Sequence, residues 1–270
     1  CQVRKKGLLA TDNNVGSTLI DMYAMFGLLT NARQVFNEIQ NQDVVCWTSL
    51  IAGYVEHGYG EEAIGFYEEM QLKNVIPDPV TVICGLKACS SMGLIEKGIE
   101  IHAEIERRSL LGTNVVLGST LVDMYMKCGL LTKAQQVFDK LPIRDVVSWT
   151  TLIAGYTDHG YGEEALLRYE QMQLQGVLPN AVTFISILRA CGSIGAIEKG
   201  DVVHADMHNR GLVGNNVMLD TALVDMYAKC GAFAKAEEMF HLLHFRNLFC
   251  WTVLMAGYVQ QGQGENALNC

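Results

Sequence analysis

Trp47, Trp149 and Trp251 stand 102 residues apart, and the same interval separates His57 from His159, Cys89 from Cys191 and Cys128 from Cys230. Residues 44–78 and 146–180 agree at 23 of 35 positions. Self-similarity at a fixed period means that one structural unit is used repeatedly, each copy packing on its neighbours. That excludes most architectures before any local preference is considered.

The period divides further. A 35-residue unit (44–78) is followed by one of 36 (79–114) and one of 31 (115–145), and 146–180, 181–216 and 217–247 repeat those lengths. A 31-residue unit fills 13–43, a unit tail occupies 1–12, and a truncated unit runs over 248–270. Each unit reads as two helices. In 44–78, Trp47, Leu50, Ile51 and Tyr54 fall at i, i+3, i+4 and i+7, one apolar helical stripe. Gly58 can end that helix in a left-handed conformation. Glu61 and Glu62 put negative charge in the next first turn, where the helix dipole favours it. Ala63, Phe66, Tyr67 and Met70 form a second stripe, and Pro77 is expected to stop that helix. One such hairpin cannot bury both stripes, whereas stacked hairpins can. The fold expected is all-α, a right-handed solenoid of helix-turn-helix repeats forming a single domain.

Only four of 270 residues are proline, while Leu, Ala, Glu, Met and Gln abound, a mixture that favours helix. No window of 18 apolar residues lacks charge, so no membrane span is expected. The nine cysteines form no spaced framework, which suits a reduced compartment. No signal peptide opens the chain; it begins at Cys1 and ends at Cys270 inside repeating units, so both natural ends are expected to lie beyond it. The formal charge, 20 − 29 = −9, taken alone argues against nucleic acid, because phosphate binding usually leaves a basic footprint.

The VVxWTxLIAGY openings, the EEAxxxYExM second helices and the closing Pro-Asp or Pro-Asn resemble the pentatricopeptide repeat (PPR) family rather than tetratricopeptide repeats. The alternation of 35, 36 and 31 residues resembles the P, L and S motifs of the plant PLS subclass. Cys-Ser or Cys-Gly after Ala88 and Ala190, with His102-Ala103 and His204-Ala205, resembles L motifs, and LVDMYxKCG at 121–129 and 223–231 resembles S motifs. The resemblance covers the whole chain, here without a C-terminal E/DYW domain. It implies an L-like tail at 1–12, S units at 13–43, 115–145 and 217–247, P units at 44–78, 146–180 and 248–270, and L units at 79–114 and 181–216. It also implies a mitochondrial or chloroplast protein whose targeting peptide is not in this sequence. Such a protein binds single-stranded organellar RNA one base per unit and specifies a site for C-to-U editing. Its partners would be an editing deaminase and multiple organellar RNA editing factors.

In the family the fifth and last residues of a unit choose the base, and the second packs against it. Here the last residues are Asp43, Asp78, Asn114, Asp145, Asn180, Asn216 and Asn247, with Asp12 closing the tail. Asp and Asn are also favoured N-caps, and each stands just before a helix, so capping alone would explain them and both roles can coexist. The fifth residues are Ser17, Thr48, Ser119, Thr150, Thr221 and Thr252, with Ile83 and Ile185 in the L-like units. A hydroxyl repeated at the flank of an apolar stripe can line a groove, or bond back to a carbonyl of the preceding turn. Second residues Val45, Val80, Val116, Val147, Val182 and Met218 could sandwich bases or pack between helices; Asn14 breaks the pattern. By the family's code Thr or Ser with Asp favours G, and Thr with Asn favours A, so the target implied resembles 5′-GGNGANA-3′. Lys127 and Lys229 sit where the family contacts phosphate, but Glu56 and Asp158 stand where P units often carry Lys. That departure implies weak, salt-sensitive binding.

Catalytic, metal and cofactor signatures fail. His102-Ala103-Glu104 matches one element of zinc deaminases, but no Pro-Cys-x-x-Cys follows, and the second copy reads His204-Ala205-Asp206. Cys84 and Cys89 have no partner pair at zinc spacing. Gly58-x-Gly60-x-x-Ala63 follows a helix rather than the strand a dinucleotide loop needs. No enzyme is expected. The competing reading is a protein-binding helical scaffold, favoured by the acidic balance, although a scaffold has no need for hydroxyl-plus-Asx pairs in register.

Overall fold

The computed structural model describes residues 13–112, 114–243, 248–260 and 262–269. It forms two compact units, 1–143 and 144–270. In the first, antiparallel helix pairs follow one another: α1 (Asn13–Met25) with α2 (Leu29–Glu38), α3 (Val44–Glu56) with α4 (Gly60–Leu72), α5 (Pro79–Met92) with α6 (Ile95–Arg107), and α7 (Val115–Lys127) with α8 (Leu131–Lys140). In the second, α9 (Val146–Asp158) pairs with α10 (Gly162–Leu174), α11 (Ala181–Ile194) with α12 (Ile197–Asn209), α13 (Val217–Lys229) with α14 (Phe233–Leu242), and α15 (Leu248–Gln260) with α16 (Gly264–Asn269). Among the described residues there is no strand.

Within each unit, a first helix packs on its own second helix and on the next first helix, as α3 does on α4 and α5, and α11 on α12 and α13. The core is the two stripes. Trp47, Leu50, Ile51 and Tyr54 are buried, as are Ala63, Phe66, Tyr67 and Met70. The Trp47 ring meets Phe36 of the preceding pair edge-on at 4.5 Å. A Cβ on Gly53 would stand 2.5 Å from that of Ala24, so α1 and α3 approach too closely for any side chain there.

Helix ends follow local chemistry, with one correction. Gly58 and Gly160 adopt φ of +79° and +78° after α3 and α9, the left-handed turn that glycine permits. The second helix is not stopped by proline. α4 ends at Leu72, and Asn74 turns left-handed at φ 58° while Val75 N–H closes onto Met70 O. Gly176 makes the same turn after α10. Pro77 comes after the helix has already ended. Asn tolerates the left-handed region better than most residues, which is how the turn escapes notice where the sequence reads Lys-Asn rather than Gln-Gly.

Candidate nucleic-acid interface

The terminal Asp and Asn residues of the repeats that lie among the described residues each occupy the N-cap of a first helix. Asp43 Oδ1 accepts from Cys46 N–H at 3.0 Å, Asp78 Oδ1 from Thr81 N–H at 2.8 Å, and Asp145 Oδ1 from Ser148 N–H at 2.9 Å. Asn180 Oδ1 accepts from Thr183 N–H at 2.9 Å, Asn114 Oδ1 from Leu117 N–H at 3.2 Å, and Asn216 Oδ1 from Met218 and Leu219 N–H at 3.0 and 3.3 Å. Asn247 and Asp12 lie outside the described residues.

At Asp78 and Asn180 capping uses one side-chain atom. At Asp78 the bonds from Thr81 N–H and Thr81 Oγ1 both fall on Oδ1, leaving Oδ2 outside the cap. At Asn180 the same two donors fix the amide with its oxygen toward the helix, so Nδ2 is the atom outside the cap. An Asp therefore leaves an acceptor beside the helix start, and an Asn leaves a donor.

The caps fall into two backbone classes. Asp43, Asp78, Asp145 and Asn180 have φ between −81° and −98° with ψ near 175°. Asn114 and Asn216, which close the 36-residue units, lie at −146°/109° and −139°/105°. In the first of these units the chain reaches the cap through a 3₁₀ turn at Leu110–Gly112; in the second, Gly214 N–H donates to Asp220 Oδ1 at 2.9 Å. The 36-residue units thus close with their last residue in a different backbone conformation from the 31- and 35-residue units.

The fifth residues stand one turn into the same helices. Each hydroxyl whose bonds to its own helix are described turns back to a carbonyl: Ser17 to Asn14 O (3.2 Å), Thr48 to Val44 O (2.7 Å), Ser119 to Val116 O (3.0 Å), Thr221 to Val217 O (2.6 Å) and Thr252 to Leu248 O (2.9 Å). Three also reach the third residue of the following repeat: Thr48 Oγ1 lies 2.6 Å from Thr81 Oγ1, Thr150 Oγ1 2.6 Å from Thr183 Oγ1, and Thr221 Oγ1 3.3 Å from Cys250 Sγ. Ser17, Ser119 and Thr150 are buried, Thr48, Thr221, Ile83 and Ile185 part-buried, and Thr252 exposed.

The second residues are exposed. Val45, Val80 and Val116 in the first unit are 51%, 53% and 58% exposed, and Val147, Val182 and Met218 in the second are 51%, 56% and 70%. Packing between helices does not explain them. Isolated exposed apolar side chains are ordinary, but one at the same register of successive helices is a row.

The cations are already engaged. Lys127 Nζ lies 2.8 Å from Asp123 and Lys229 Nζ 2.7 Å from Asp225, one turn back on the same helices. Asp158 pairs with Arg189 at 3.0 Å, while Glu56 is exposed. Sequence reasoning passed over Lys87 and Arg189, exposed basic residues at the ninth position of α5 and α11, although their 102-residue spacing was a readable signal.

His102, His204, Cys89 and Cys191 are held in the packing of the helix pairs. His102 Nδ1 is 2.7 Å from Tyr125 OH and His204 Nδ1 2.9 Å from Tyr227 OH, the same contact in both units. Burial pushes the Cys89 and Cys191 thiols up to about 12, so neither forms a nucleophilic thiolate near neutrality. Among the described residues no group of three or more His, Cys, Asp or Glu side chains could hold a metal ion, and no helix is long and apolar enough to cross a membrane.

This pairing of capped first helices with 31-, 35- and 36-residue spacing has a counterpart in known sequences. The PPR repeat family model matches residues 42–91 and 144–193, and the PPR repeat model matches 17–44, 119–146, 221–248 and 249–270. Together these spans cover well over half of the chain. The protein belongs to the pentatricopeptide repeat family. Among curated PPR proteins of Arabidopsis thaliana, a chloroplastic one is 39% identical over 97% of the chain and a mitochondrial one 35% identical over 93%. The chain spans only 42% and 36% of their lengths. The fold matches that of the PPR protein PPR10 solved in complex with an 18-nt psaJ RNA element, with a TM-score of 0.79 and 17% identity over 98% of this chain and 40% of that one. Maize PPR10 crystallised in another structure gives a TM-score of 0.67 at 23% identity over 89% of this chain and 36% of that one. The all-α helical-repeat fold read from the sequence is the fold found.

Proposed function

We propose that this chain binds single-stranded RNA in a plant organelle, one base per repeat, and selects a site for C-to-U editing by a deaminase acting with multiple organellar RNA editing factors. The observation that carries this reading is the pairing of an N-cap Asp or Asn, whose second polar atom lies outside the cap, with a hydroxyl in register on the same repeat and an exposed apolar residue next to the cap. The family membership and the RNA held by PPR10 support it.

The chemistry fits base discrimination. Guanine is the one base that shows two adjacent N–H donors on its Watson–Crick edge, and Asp with a hydroxyl oxygen presents two acceptors. Adenine shows an acceptor beside a donor, matched by the Nδ2 of Asn beside a hydroxyl oxygen. Proteins commonly read unstacked RNA bases on this edge. The reading pairs are Ser17 with Asp43, Thr48 with Asp78, Ser119 with Asp145, Thr150 with Asn180 and Thr221 with Asn247. Thr252 opens the last, truncated P unit. The L pairs, Ile83 with Asn114 and Ile185 with Asn216, lack the hydroxyl and hold Asn in a different backbone conformation, which suits weak preference. The target is 5′-GGNGANA-3′. Val45 and Val147 pack against the bases of their repeats, and Lys127 and Lys229 reach phosphate only by leaving Asp123 and Asp225.

The test is base substitution. The chain titrated with RNAs carrying each base at the fifth position of the target should favour A there, and Asn180→Asp should move that preference to G. Equal affinity for all four bases in both proteins would refute the reading. The acidic balance favours a protein-binding scaffold as the second reading, and it would then stand.

A further inference from the structure

We propose that Thr81 and Thr183, the third residues of the repeats that follow, are positioning residues for the base-reading pairs Thr48–Asp78 and Thr150–Asn180, so that specificity in these two repeats is set partly by the next repeat. The inference rests on the base-reading proposal above. Its observation is a hydroxyl relay made twice, once in each compact unit. Thr48 Oγ1 lies 2.6 Å from Thr81 Oγ1, which donates to Asp78 Oδ1 at 2.8 Å. Thr150 Oγ1 lies 2.6 Å from Thr183 Oγ1, which donates to Asn180 Oδ1 at 3.0 Å. Thr81 and Thr183 are fully buried, so neither touches a base itself.

Counting protons shows what the relay does. Each threonine has one hydroxyl proton. At 2.6 Å the two oxygens need a proton between them, from one side or the other. If Thr48 donates to Thr81, its proton is used there and Thr81 donates to Asp78. If Thr81 donates to Thr48, the Thr48 proton goes to Val44 O, 2.7 Å away. In both arrangements the Thr48 proton points into the protein, and its oxygen can only accept from a base. At the second site Thr183 also accepts from Asn180 N–H at 3.2 Å and donates to Asn180 Oδ1, which makes Thr150 the donor to Thr183 and holds the Asn180 amide with Nδ2 away from the helix. Without the third-residue hydroxyl the Thr48 proton still has Val44 O, 2.7 Å away, but Asp78 and Asn180 each lose the second donor that fixes the reading side chain. A reading side chain held by one bond can turn, so the distinction between acceptor–acceptor and donor–acceptor edges is blurred.

Thr183→Val keeps the side-chain shape and the capping N–H but removes the hydroxyl. The full chain and the variants Thr183→Val and Thr183→Ser are titrated with RNAs differing only at the fifth or only at the second base of 5′-GGNGANA-3′. For Thr183→Val the preference for A at the fifth base should fall by roughly fivefold, the ratio set by one lost hydrogen bond. Preference for G at the second base should be unchanged, and Thr183→Ser should restore the fifth-base preference. Thr81→Val should show the converse pattern. If Thr183→Val keeps its fifth-base preference, or loses preference at both bases alike, the positioning role is refuted while base reading stands. If the unsubstituted chain shows no preference at the fifth base, base reading itself fails and the inference falls with it.

Discussion

Asp78 Oδ1 accepts the amide proton of Thr81 at 2.8 Å, so the residue that closes one repeat also caps the first helix of the next. Asn caps a helix as well as Asp does. Asp78→Asn should therefore change thermal stability little while moving the second-base preference from G to A. Asp78→Ala should cost about 1 kcal/mol and abolish that preference. Thermal unfolding and RNA titration on the same two variants separate cap from reader.

The apolar row and the core beneath it should respond oppositely. Val147 is half exposed and Trp149 is 1% exposed, two positions along the same helix. Val147→Ala should alter stability by less than about 0.5 kcal/mol, as surface changes do, yet weaken RNA binding. Trp149→Ala should destabilise by roughly 3–5 kcal/mol. Denaturant unfolding with parallel binding isotherms checks both.

Removing negative charge beside the candidate phosphate path should strengthen binding. Asp158→Asn leaves Arg189 without its 3.0 Å partner. If Arg189 then contacts one phosphate, the slope of log K against log salt should steepen by roughly 0.7 for single-stranded nucleic acid. A salt series on the variant and the parent chain measures this. An unchanged slope would remove Arg189 from the RNA path.

The part-buried His102 and His204 make stability fall in mild acid. Burial lowers His102 and His204 below their ordinary 6.5, against the opposing pull of Glu106 on His102 and Asp201 on His204. A histidine with a lowered native value binds its proton more readily when unfolded. Its contribution is present above pH 6.5 and is lost as pH falls from there toward the native values. The double variant His102→Gln, His204→Gln should lose less stability between neutral pH and pH 5 than the parent chain, as read by thermal unfolding.

Much of this was legible in the sequence because a repeat states its rule several times. Trp47, Trp149 and Trp251 gave the period, and the Trp47 to Tyr54 spacing gave the buried stripe. The left-handed Asn74 was missed because Pro77 nearby offered a simpler stop. Exposure of Val45 and Val147 was left open, because an apolar residue next to a stripe reads equally as its edge. The partners of Lys127 and Lys229 could have been read from the Asp four residues earlier. Thr81 and Thr183 could not, since a residue that bridges two positions of another repeat shows its role only when the helices are packed.

The most direct test of the account is binding of this chain to labelled single-stranded RNA containing 5′-GGNGANA-3′ against a scrambled RNA of the same composition across a salt series. The account predicts preference for the first RNA at every salt concentration where binding is seen. Failure to bind either RNA at low salt, or equal affinity for both, would contradict it.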